Sequence, residues 1–284
     1  MNSLYVSDLD GTLLDKDARL SSRSRQVLAR LLNLGLPFTV ATARSIVSVR
    51  AILGDLPLRL PVIEFNGAFL SDYPSGRHLV INALPREVAA ALHADILAAG
   101  QAPIISTFDG RRDRLYFGPI LNPGMQWYLD DRRKNHDPRL TSAPANAQVL
   151  TEQVVCITVI GRQDALQDLR VVLERRAGPH IETDCQPALY SEGWHWLTAH
   201  DRRASKDQAI RCLQERCGMK DAKLVVFGDH ANDLKMFQIA DRGLAVANAT
   251  ADLKRVSHQV IGPNTDDSVA LFLEQEWTTR GNGV

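Results

Sequence analysis

The sequence predicts an α/β protein with a doubly wound (Rossmann-like) parallel-sheet core and an inserted α+β domain. Two observations support the core. Short apolar runs alternate with helical patterns towards both ends of the chain, and polar residues follow the points where the apolar runs end. A third observation supports the insertion: the middle of the chain is richer in Gly, Pro and charge, and it breaks the alternation.

The N-terminal part of the chain is predicted to form three strands separated by two helices. The first helix has a serine cap at its start, an apolar stripe, and Gly35 as its stop signal. Strands that alternate with helices are typical of a parallel sheet. The predicted elements are strand 4–9, helix 21–35, strand 36–42, helix 45–54 and strand 60–65.

The same alternation returns near the C-terminus, where five more elements are predicted. They are helix 205–218, strand 222–229, helix 231–240, strand 243–247 and helix 266–277. We therefore assign residues 1–82 and 191–284 to one discontinuous core, and residues 83–190 to the inserted domain. Within the insertion, the pattern predicts a helix at 85–100 and a strand at 154–161.

Composition and charge exclude several classes of function. The formal net charge of the 284 residues is 0, so no overall electrostatic attraction favours nucleic acid. The apolar runs are too short for a membrane helix, and Asp8 and Asp10 interrupt any N-terminal signal pattern. The four cysteines form no CxxC pair, which favours reduced thiols. We expect a cytoplasmic protein, a monomer or a homodimer, with a small-molecule partner and neither nucleic acid nor membrane.

Polar residues follow the predicted strands of both core segments. The carboxyl ends of parallel strands lie at one edge of a sheet, and ligands bind outside that edge. We therefore expect these side chains to converge on one site. They are Asp8 and Asp10, Thr42 and Arg44, Asn66, and Asp229.

The gathered aspartates indicate a divalent cation. Carboxylates that share a half-buried place repel one another, and Mg²⁺ prefers oxygen ligands such as these. The predicted metal residues are Asp8, Asp10, Asp229 and Asp233, the last either as a ligand or as an outer partner. Asp8 is the candidate nucleophile on phosphorus, and Asp10 is the candidate acid and then base.

A phosphoryl group in transfer needs hydrogen-bond donors and positive charge around its oxygens. Thr42 can supply a hydroxyl and a backbone N–H, and Lys206 can supply an ammonium group. Thr12 offers a further hydroxyl, Asn232 can orient a substrate oxygen or a water, and Gly11 lets the backbone turn tightly.

The motifs together resemble those of the haloacid-dehalogenase-like phosphatases. They are DLDGT at 8–12, Thr42, Lys206, and GDHANDLKM at 228–236. The long gap between the second and third motifs resembles the α/β cap of the Cof-like branch. That resemblance implies a Mg²⁺-dependent phosphatase of sugar phosphates and other small phosphate esters, with an aspartyl-phosphate intermediate. FNGA at 65–68, ATAR at 41–44 and LAVANA at 244–249 are also similar to that branch.

Two candidate roles have structural alternatives. The predicted substrate-binding residues are Thr12, Ala43, Arg44, Asn66 and Asn232. Arg44 could instead form an ion pair within the core, and Asn66 could hold its turn together with Gly67. Ala43 stands where the family usually has glycine, which makes the turn slightly bulkier.

Two other functions remain open at this stage. A phosphomannomutase shares this core and cap type and would return the phosphoryl group to a sugar. A non-catalytic sensor of phosphorylated metabolites would usually lack the nucleophile or the lysine, and this chain has both Asp8 and Lys206.

Overall fold

The computed structural model describes residues 3–143, 150–188 and 191–281. The chain divides into two compact units. The first unit combines Met1–Val80 with Ser205–Val284, and the second comprises Ile81–Ala204. The first unit is therefore discontinuous in sequence.

Fourteen strands occur in the described residues. In chain order, β1 to β7 are Ser3–Ser7, Phe38–Val40, Val62–Glu64, Phe69–Ser71, His78–Ile81, Pro103–Phe108 and Asp113–Phe117. Strands β8 to β14 are Leu140–Ser142, Gln153–Gly161, Ile181–Pro187, His195–Asp201, Lys223–Gly228, Arg242–Ala245 and Gln259–Val260.

Nine α-helices occur in the same ranges. Helices α1 to α5 are Ser22–Asn33, Ile46–Leu53, Arg86–Ala98, Pro123–Lys134 and Gln163–Ala177. Helices α6 to α9 are Lys206–Arg216, Leu234–Ile239, Ala251–Val256 and Ser268–Gly281. Each of these helices is too short or too polar to span a bilayer.

The first unit is built on a five-stranded parallel sheet with the order β14-β13-β12-β1-β2. Its two central strands, β1 and β12, are buried almost throughout, as expected for a sheet covered by helices. A parallel bridge from Ala41 to Ile63 continues the sheet towards β3. That strand also belongs to a three-stranded sheet with the order β3-β4-β5.

The helices of the first unit cover the sheet through apolar side chains. Helix α1 packs against α9, and α6 and α8 each pack against α7. Ser21 caps α1, because its side chain accepts the backbone N–H of Ser24. Leu28 and Leu31 of that helix are fully buried in a core shared with β1 and β12. The serine cap and apolar stripe predicted from sequence thus form this helix.

The second unit contains a six-stranded sheet with the order β10-β11-β9-β6-β7-β8. All neighbouring pairs are antiparallel except the pair of β7 and β8. Helices α3 and α5 pack against each other and on β9. Helix α4 contacts the same strand and contributes Met125 and Leu129 to a second apolar cluster.

The predicted fold class is confirmed: a parallel sheet forms the core, and antiparallel strands with helices lie between its two segments. The division into units lies close to the predicted domains at the first boundary, where the segment ends at Val80 instead of residue 82, and differs more at the second. The prediction begins the second core segment at residue 191, whereas the second unit extends to Ala204. The reason is that β11 pairs with both β9 and β10. Residue 190, the predicted end of the insertion, lies outside the described residues.

Candidate active site

The candidate site lies at one edge of the parallel sheet. Asp8 directly follows β1, Asp229 directly follows β12, and Thr42 comes two residues after β2. Strand β1 pairs in parallel with both β2 and β12, so the carboxyl ends of all three strands meet. The sheet thus brings together side chains from both segments of the unit.

A buried lysine joins two carboxylates at this edge. Lys206 is the first residue of α6, and its side chain is 0% exposed. Its Nζ atom donates hydrogen bonds to Asp8 Oδ1 and Asp233 Oδ1, each at 2.7 Å. Burial lowers the pKa of Lys206, but the charges of Asp233 and Asp8 and these hydrogen bonds raise it above its ordinary value. The lysine is therefore an ammonium ion at neutral pH.

Asp233 ties the loop after β12 to that lysine. Its Oδ2 atom accepts the backbone N–H of Asp229 at 2.9 Å and that of His230 at 3.2 Å. Its Oδ1 atom accepts from Lys206, so both carboxylate oxygens already have donors. This arrangement favours Asp233 as an outer partner that orients Asp229, one of its two predicted roles.

Asp229 is packed against the turn that follows Asp8. Its Oδ1 atom accepts the hydroxyl of Thr12 at 2.9 Å. Gly11 in that turn has φ of 71°, and a Cβ atom there would lie 2.4 Å from Asp229 Oδ2. Only glycine fits this turn without displacing the carboxylate. Asn248 holds the turn from the other side, because its Nδ2 atom donates to the Gly11 carbonyl at 2.7 Å.

Three carboxylates crowd at this point. One oxygen each of Asp8, Asp229 and Asp233 lies within 4.8 Å of the others. Burial raises the pKa of Asp8 well above its usual range, and the charges of Asp233 and Asp229 raise it further, against the opposing effect of Lys206. Burial, with the charge of Asp233, raises the pKa of Asp229 to about 7. One lysine does not balance this cluster, so its charge and its oxygen donors suit a divalent cation such as Mg²⁺.

Asp10 is held by an arginine. Arg44 donates through Nε to Asp10 Oδ2 at 2.7 Å and through Nη2 to Oδ1 at 2.6 Å. Its remaining nitrogen, Nη1, donates to Ser48 Oγ at 2.9 Å. The structure therefore realises the alternative predicted for Arg44, an ion pair within the core.

Two hydrogen-bond donors were predicted for Thr42, its hydroxyl and its backbone N–H, and only the hydroxyl can serve a phosphoryl oxygen. Its backbone N–H donates to the Ile63 carbonyl at 3.0 Å, so the predicted use of this N–H on phosphoryl oxygens is wrong. Pairing at the sheet edge occupies it. The hydroxyl accepts the Arg44 backbone N–H at 3.1 Å, which leaves its own proton free to be donated elsewhere. The neighbouring Ala43 is exposed.

Asn66 occupies a tight turn after β3. Its φ of 54° is left-handed, and its backbone N–H donates to the Thr42 carbonyl at 2.9 Å. Its Oδ1 atom accepts Asn232 Nδ2 at 3.3 Å. Asn232 Oδ1 is buried and has no hydrogen-bond partner among the described residues. Asn66 therefore holds the turn and Asn232, and the Asn232 amide oxygen remains as an acceptor at the site.

Residues 5–273 match the family model of the haloacid dehalogenase-like hydrolases. The match spans both segments of the first unit and all of the second. The chain belongs to this family. The resemblance inferred from the ordered motifs is therefore confirmed.

The chain is similar over nearly its whole length to phosphatases of this family. It is 29% identical to an HMP-PP phosphatase of Cronobacter sakazakii, with 96% of this chain and 95% of that protein covered. It is 28% identical to a pyridoxal phosphate phosphatase of Escherichia coli, with coverage of 94% and 95%. The predicted enzyme class, a phosphatase of the haloacid dehalogenase-like hydrolases, agrees with these relatives and is confirmed at that level.

The fold is also similar to that of proteins of known structure. A haloacid dehalogenase-like hydrolase from Bacteroides thetaiotaomicron superposes with a TM-score of 0.78 at 25% identity, covering 97% of this chain and 99% of that one. A protein from Thermotoga maritima superposes with a TM-score of 0.77 at 25% identity, with 97% of each chain covered. The fold of this chain thus recurs among proteins of known structure, including a haloacid dehalogenase-like hydrolase.

The structure gathers Asp8, Thr12, Lys206, Asp229 and Asp233 through direct hydrogen bonds. Sequence reasoning gave no role to two further residues. Asn248 lies in the LAVANA motif, which is a signal that could have been used. Ser48 follows Arg44 by four residues on α2, and only the fold shows that the two side chains meet.

Proposed function

We propose that this chain is a Mg²⁺-dependent phosphatase that hydrolyses small phosphate monoesters through an aspartyl-phosphate on Asp8. The observation that carries the proposal is the buried ion pair of Asp8 with Lys206, set beside Asp229 and Asp233 at the carboxyl edge of the sheet. Asp8 lies next to the Lys206 ammonium and to carboxylates that suit a bound cation. These positive charges offset the negative charge of an incoming phosphate, so the Asp8 oxygen can attack phosphorus.

Asp8 supplies the nucleophilic oxygen in the first half-reaction. Lys206 engages Oδ1, which leaves Oδ2 outside that contact. The nucleophilic oxygen forms a bond to phosphorus while the bond from phosphorus to the ester oxygen breaks, and Asp10 gives a proton to the leaving oxygen. Asp10 then takes a proton from water as the water oxygen attacks phosphorus. Inorganic phosphate leaves, and the Asp8 carboxylate is restored.

The remaining polar groups bind the phosphoryl oxygens and the substrate. The Thr42 hydroxyl and the Lys206 ammonium donate to phosphoryl oxygens, and the Asn232 amide oxygen accepts from a substrate hydroxyl. We keep Thr12, Ala43 and Asn66 as proposed members of the substrate site, with the Thr12 hydroxyl bound to Asp229. Arg44 lies beside that site in its ion pair with Asp10.

Mg²⁺ would be held by Asp8, the Asp10 backbone carbonyl and Asp229, with Asp233 as ligand or outer partner. The crowding of three carboxylates around one lysine supports this donor set. When bound, the ion supplies positive charge that offsets the negative charge of the phosphoryl oxygens. The four aspartates remain the predicted metal residues.

The substrate class is proposed from the relatives. They are named as phosphatases of HMP-PP, of pyridoxal phosphate and, in Bacillus subtilis, of 5-amino-6-(5-phospho-D-ribitylamino)uracil. We propose that the discontinuous first unit is the catalytic core, and that the inserted second unit, Ile81–Ala204, acts as the cap that selects the leaving group. Cytoplasmic localisation and a monomer or homodimer stay predictions of the sequence.

The test is phosphate release from a panel of small esters with either Mg²⁺ or EDTA. The panel contains pyridoxal phosphate, several sugar phosphates and p-nitrophenyl phosphate. We expect release with Mg²⁺ and loss of release with EDTA, restored when Mg²⁺ is added back. Equal release in EDTA would remove the metal from the proposal, and no release from any ester by the folded protein would overturn the proposed function.

A further inference from the structure

The guanidinium group of Arg44 is fully committed within the first unit. Two of its nitrogens donate hydrogen bonds, one to each carboxylate oxygen of Asp10, and the third donates to Ser48 on α2. The Arg44 side chain is 17% exposed and the Asp10 side chain 24% exposed, so the pair is only partly screened by solvent. A bidentate contact between arginine and a carboxylate fixes the plane of the carboxylate as well as its position.

We infer that Arg44 is the positioning residue of Asp10 and acts on the reaction through that carboxylate, with Ser48 holding the arginine in turn. The inference rests on the proposed function, in which Asp10 carries the proton. It assigns Arg44 a role different from direct contact with substrate.

The local backbone explains why Asp10 needs this bidentate contact. Asp10 lies in the tight turn after β1 and is followed by Gly11 in a left-handed conformation. Asp10 itself has a φ of -69° and a ψ of 127°, which is an extended conformation. A short carboxylate side chain on such a turn can rotate about two bonds. The contact from Arg44, which lies just before α2, limits that rotation, and α2 is itself capped by the Ser45 side chain.

The bidentate contact with Arg44 is compatible with proton exchange at Asp10. Each carboxylate oxygen has two lone-pair sites, and Arg44 uses one on each oxygen. In the proposed reaction, this carboxylate carries the proton that moves to the leaving oxygen and is later recovered from water. Without Arg44, Asp10 would therefore still carry the proton, but its carboxylate would no longer be held in one orientation.

The test compares esters with good and poor leaving groups. An alkyl phosphate, glycerol phosphate, needs a proton on its leaving oxygen, whereas p-nitrophenyl phosphate expels a stable phenolate. For Arg44→Gln, we expect kcat/KM on glycerol phosphate to fall about tenfold or more. The fall on p-nitrophenyl phosphate should stay below about threefold. Arg44→Lys keeps the positive charge but cannot make the bidentate contact. It should show the same selective loss of kcat/KM on glycerol phosphate. An equal loss on both esters, or a wild-type Arg44→Lys, would overturn the inference.

A double-mutant cycle with Asp10→Asn gives a second readout. If Arg44 acts through Asp10, adding Arg44→Gln to Asp10→Asn changes kcat/KM on p-nitrophenyl phosphate by less than about twofold beyond Asp10→Asn alone. Independent, multiplied effects would instead indicate direct substrate contact and overturn the inference.

Arg50→Gln is the matched control. Arg50 lies on α2, six residues after Arg44, but its guanidinium donates to the Tyr73 and Pro74 carbonyls rather than to Asp10. This variant should leave the ratio of kcat/KM on the two esters unchanged, and a changed ratio would overturn the inference. Wild type without phosphate release from glycerol phosphate or from any ester of the panel would instead show that the proposed function itself has failed.

Discussion

Among single residues, Asp229 links the proposed cation most directly to stability. Without metal, burial and the charge of Asp233 raise its pKa from 3.8 to about 7, so the ionised group costs stability at pH 8. Asp229→Asn removes that charge and keeps an oxygen for the Thr12 hydroxyl. We expect the variant to be about 1–2 kcal/mol more stable than wild type in EDTA. Mg²⁺ should stabilise wild type but not Asp229→Asn.

Thermal unfolding at pH 8, with EDTA or Mg²⁺, measures both effects. The control is Asp221→Asn, which alters an exposed aspartate just before β12. It should respond to Mg²⁺ as wild type does. An equal rise in unfolding temperature with Mg²⁺ for Asp229→Asn would show that this carboxylate is not part of a cation site.

Lys206 is expected to support both the fold and the reaction. Lys206→Met keeps most of the buried volume but leaves Asp8 and Asp233 without their shared cation. Breaking a buried ion pair on one side typically lowers the free energy of unfolding by about 3–5 kcal/mol. Denaturant unfolding in EDTA measures this loss, and phosphate release should fall at least a hundredfold. Lys223→Met, at an exposed position on β12, should change neither quantity appreciably.

The residue-level predictions from sequence were strongest where motifs fix local geometry. Asp8, Thr12 and Asp229 follow strands that pair side by side, so their meeting could be expected from the alternation of elements. The commitment of Arg44 to Asp10 could not be decided from sequence, because it depends on where α2 starts relative to the turn after β1. A single sequence does not record that distance.

Among the elements, the turn after β3 determines where α6 begins. Gly67 has φ of 112°, and a Cβ atom there would lie 2.6 Å from the carbonyl oxygen of Ser205. Ser205 immediately precedes Lys206, the first residue of α6. We expect Gly67→Ala to displace the start of this helix and, with it, the Lys206 ammonium.

The expected cost of Gly67→Ala is about 2–4 kcal/mol of unfolding free energy, since the backbone contact and the backbone angle are both violated. Phosphate release should fall in the fraction that remains folded. Gly178→Ala is the matched control, because a Cβ atom there meets nothing within 4 Å and the φ of Gly178 is -47°. A Gly67→Ala protein with wild-type stability and activity would contradict this role for the turn.

Helix predictions succeeded where both a cap and an apolar stripe were present. The predicted helix at 45–54 appears as Ile46–Leu53, capped by Ser45 and ended by Gly54. The predicted helix at 231–240 appears instead as a short 3₁₀ turn at Ala231–Asp233 followed by Leu234–Ile239. The tight turn arises because Asp233 bends back to accept the backbone N–H groups of Asp229 and His230.

Several elements of the second unit were not predicted. Strand β10 is mostly half-buried and its sequence, IETDCQP, lacks a clear alternation. Helix α5 carries exposed Val171 and Val172 on its outer side, which obscures its apolar stripe. Edge strands and helices of mixed polarity gain their stability from tertiary packing, and local sequence patterns report that packing poorly.

At the scale of the whole molecule, the second unit should lose stability in mild acid. His200 on β11 is 3% exposed, and burial lowers its pKa from 6.5 to about 4. The unfolded chain therefore binds a proton below pH 6.5 that the folded unit resists until about pH 4. Stability falls as the pH drops through this window, by about 3 kcal/mol in total from this residue.

The comparison of wild type with His200→Leu isolates that contribution. Tryptophan fluorescence suits the measurement, because Trp127, Trp194 and Trp196 lie in the second unit and only Trp277 lies in the first. Denaturant unfolding at pH 7.5 and pH 4.5 should show a smaller pH effect for His200→Leu. His180→Gln, at an exposed position, should keep the wild-type effect. Equal pH effects for His200→Leu and wild type would contradict the assignment.

The ordered motifs allowed the family to be recognised from sequence because they are spread over both segments of the core. The boundaries of the insertion were harder to place. The segment with Trp194 and Trp196 stands directly before the Lys206 motif and was assigned to the core, whereas β11 completes the sheet of the second unit. Trp196 packs edge-on against Tyr128 of α4 there. Strand pairing across long sequence separations decides such boundaries.

The central claim is that Asp8 is the nucleophile, and the most direct measurement is Mg²⁺-dependent phosphate release by wild type and Asp8→Asn. Asparagine preserves the shape of the side chain and an oxygen for Lys206, but its amide is too weak a nucleophile to form the acyl phosphate. We predict robust release by wild type and a loss of at least about 10³-fold in the variant, with both proteins folded. Release by Asp8→Asn at a rate close to wild type would contradict the account.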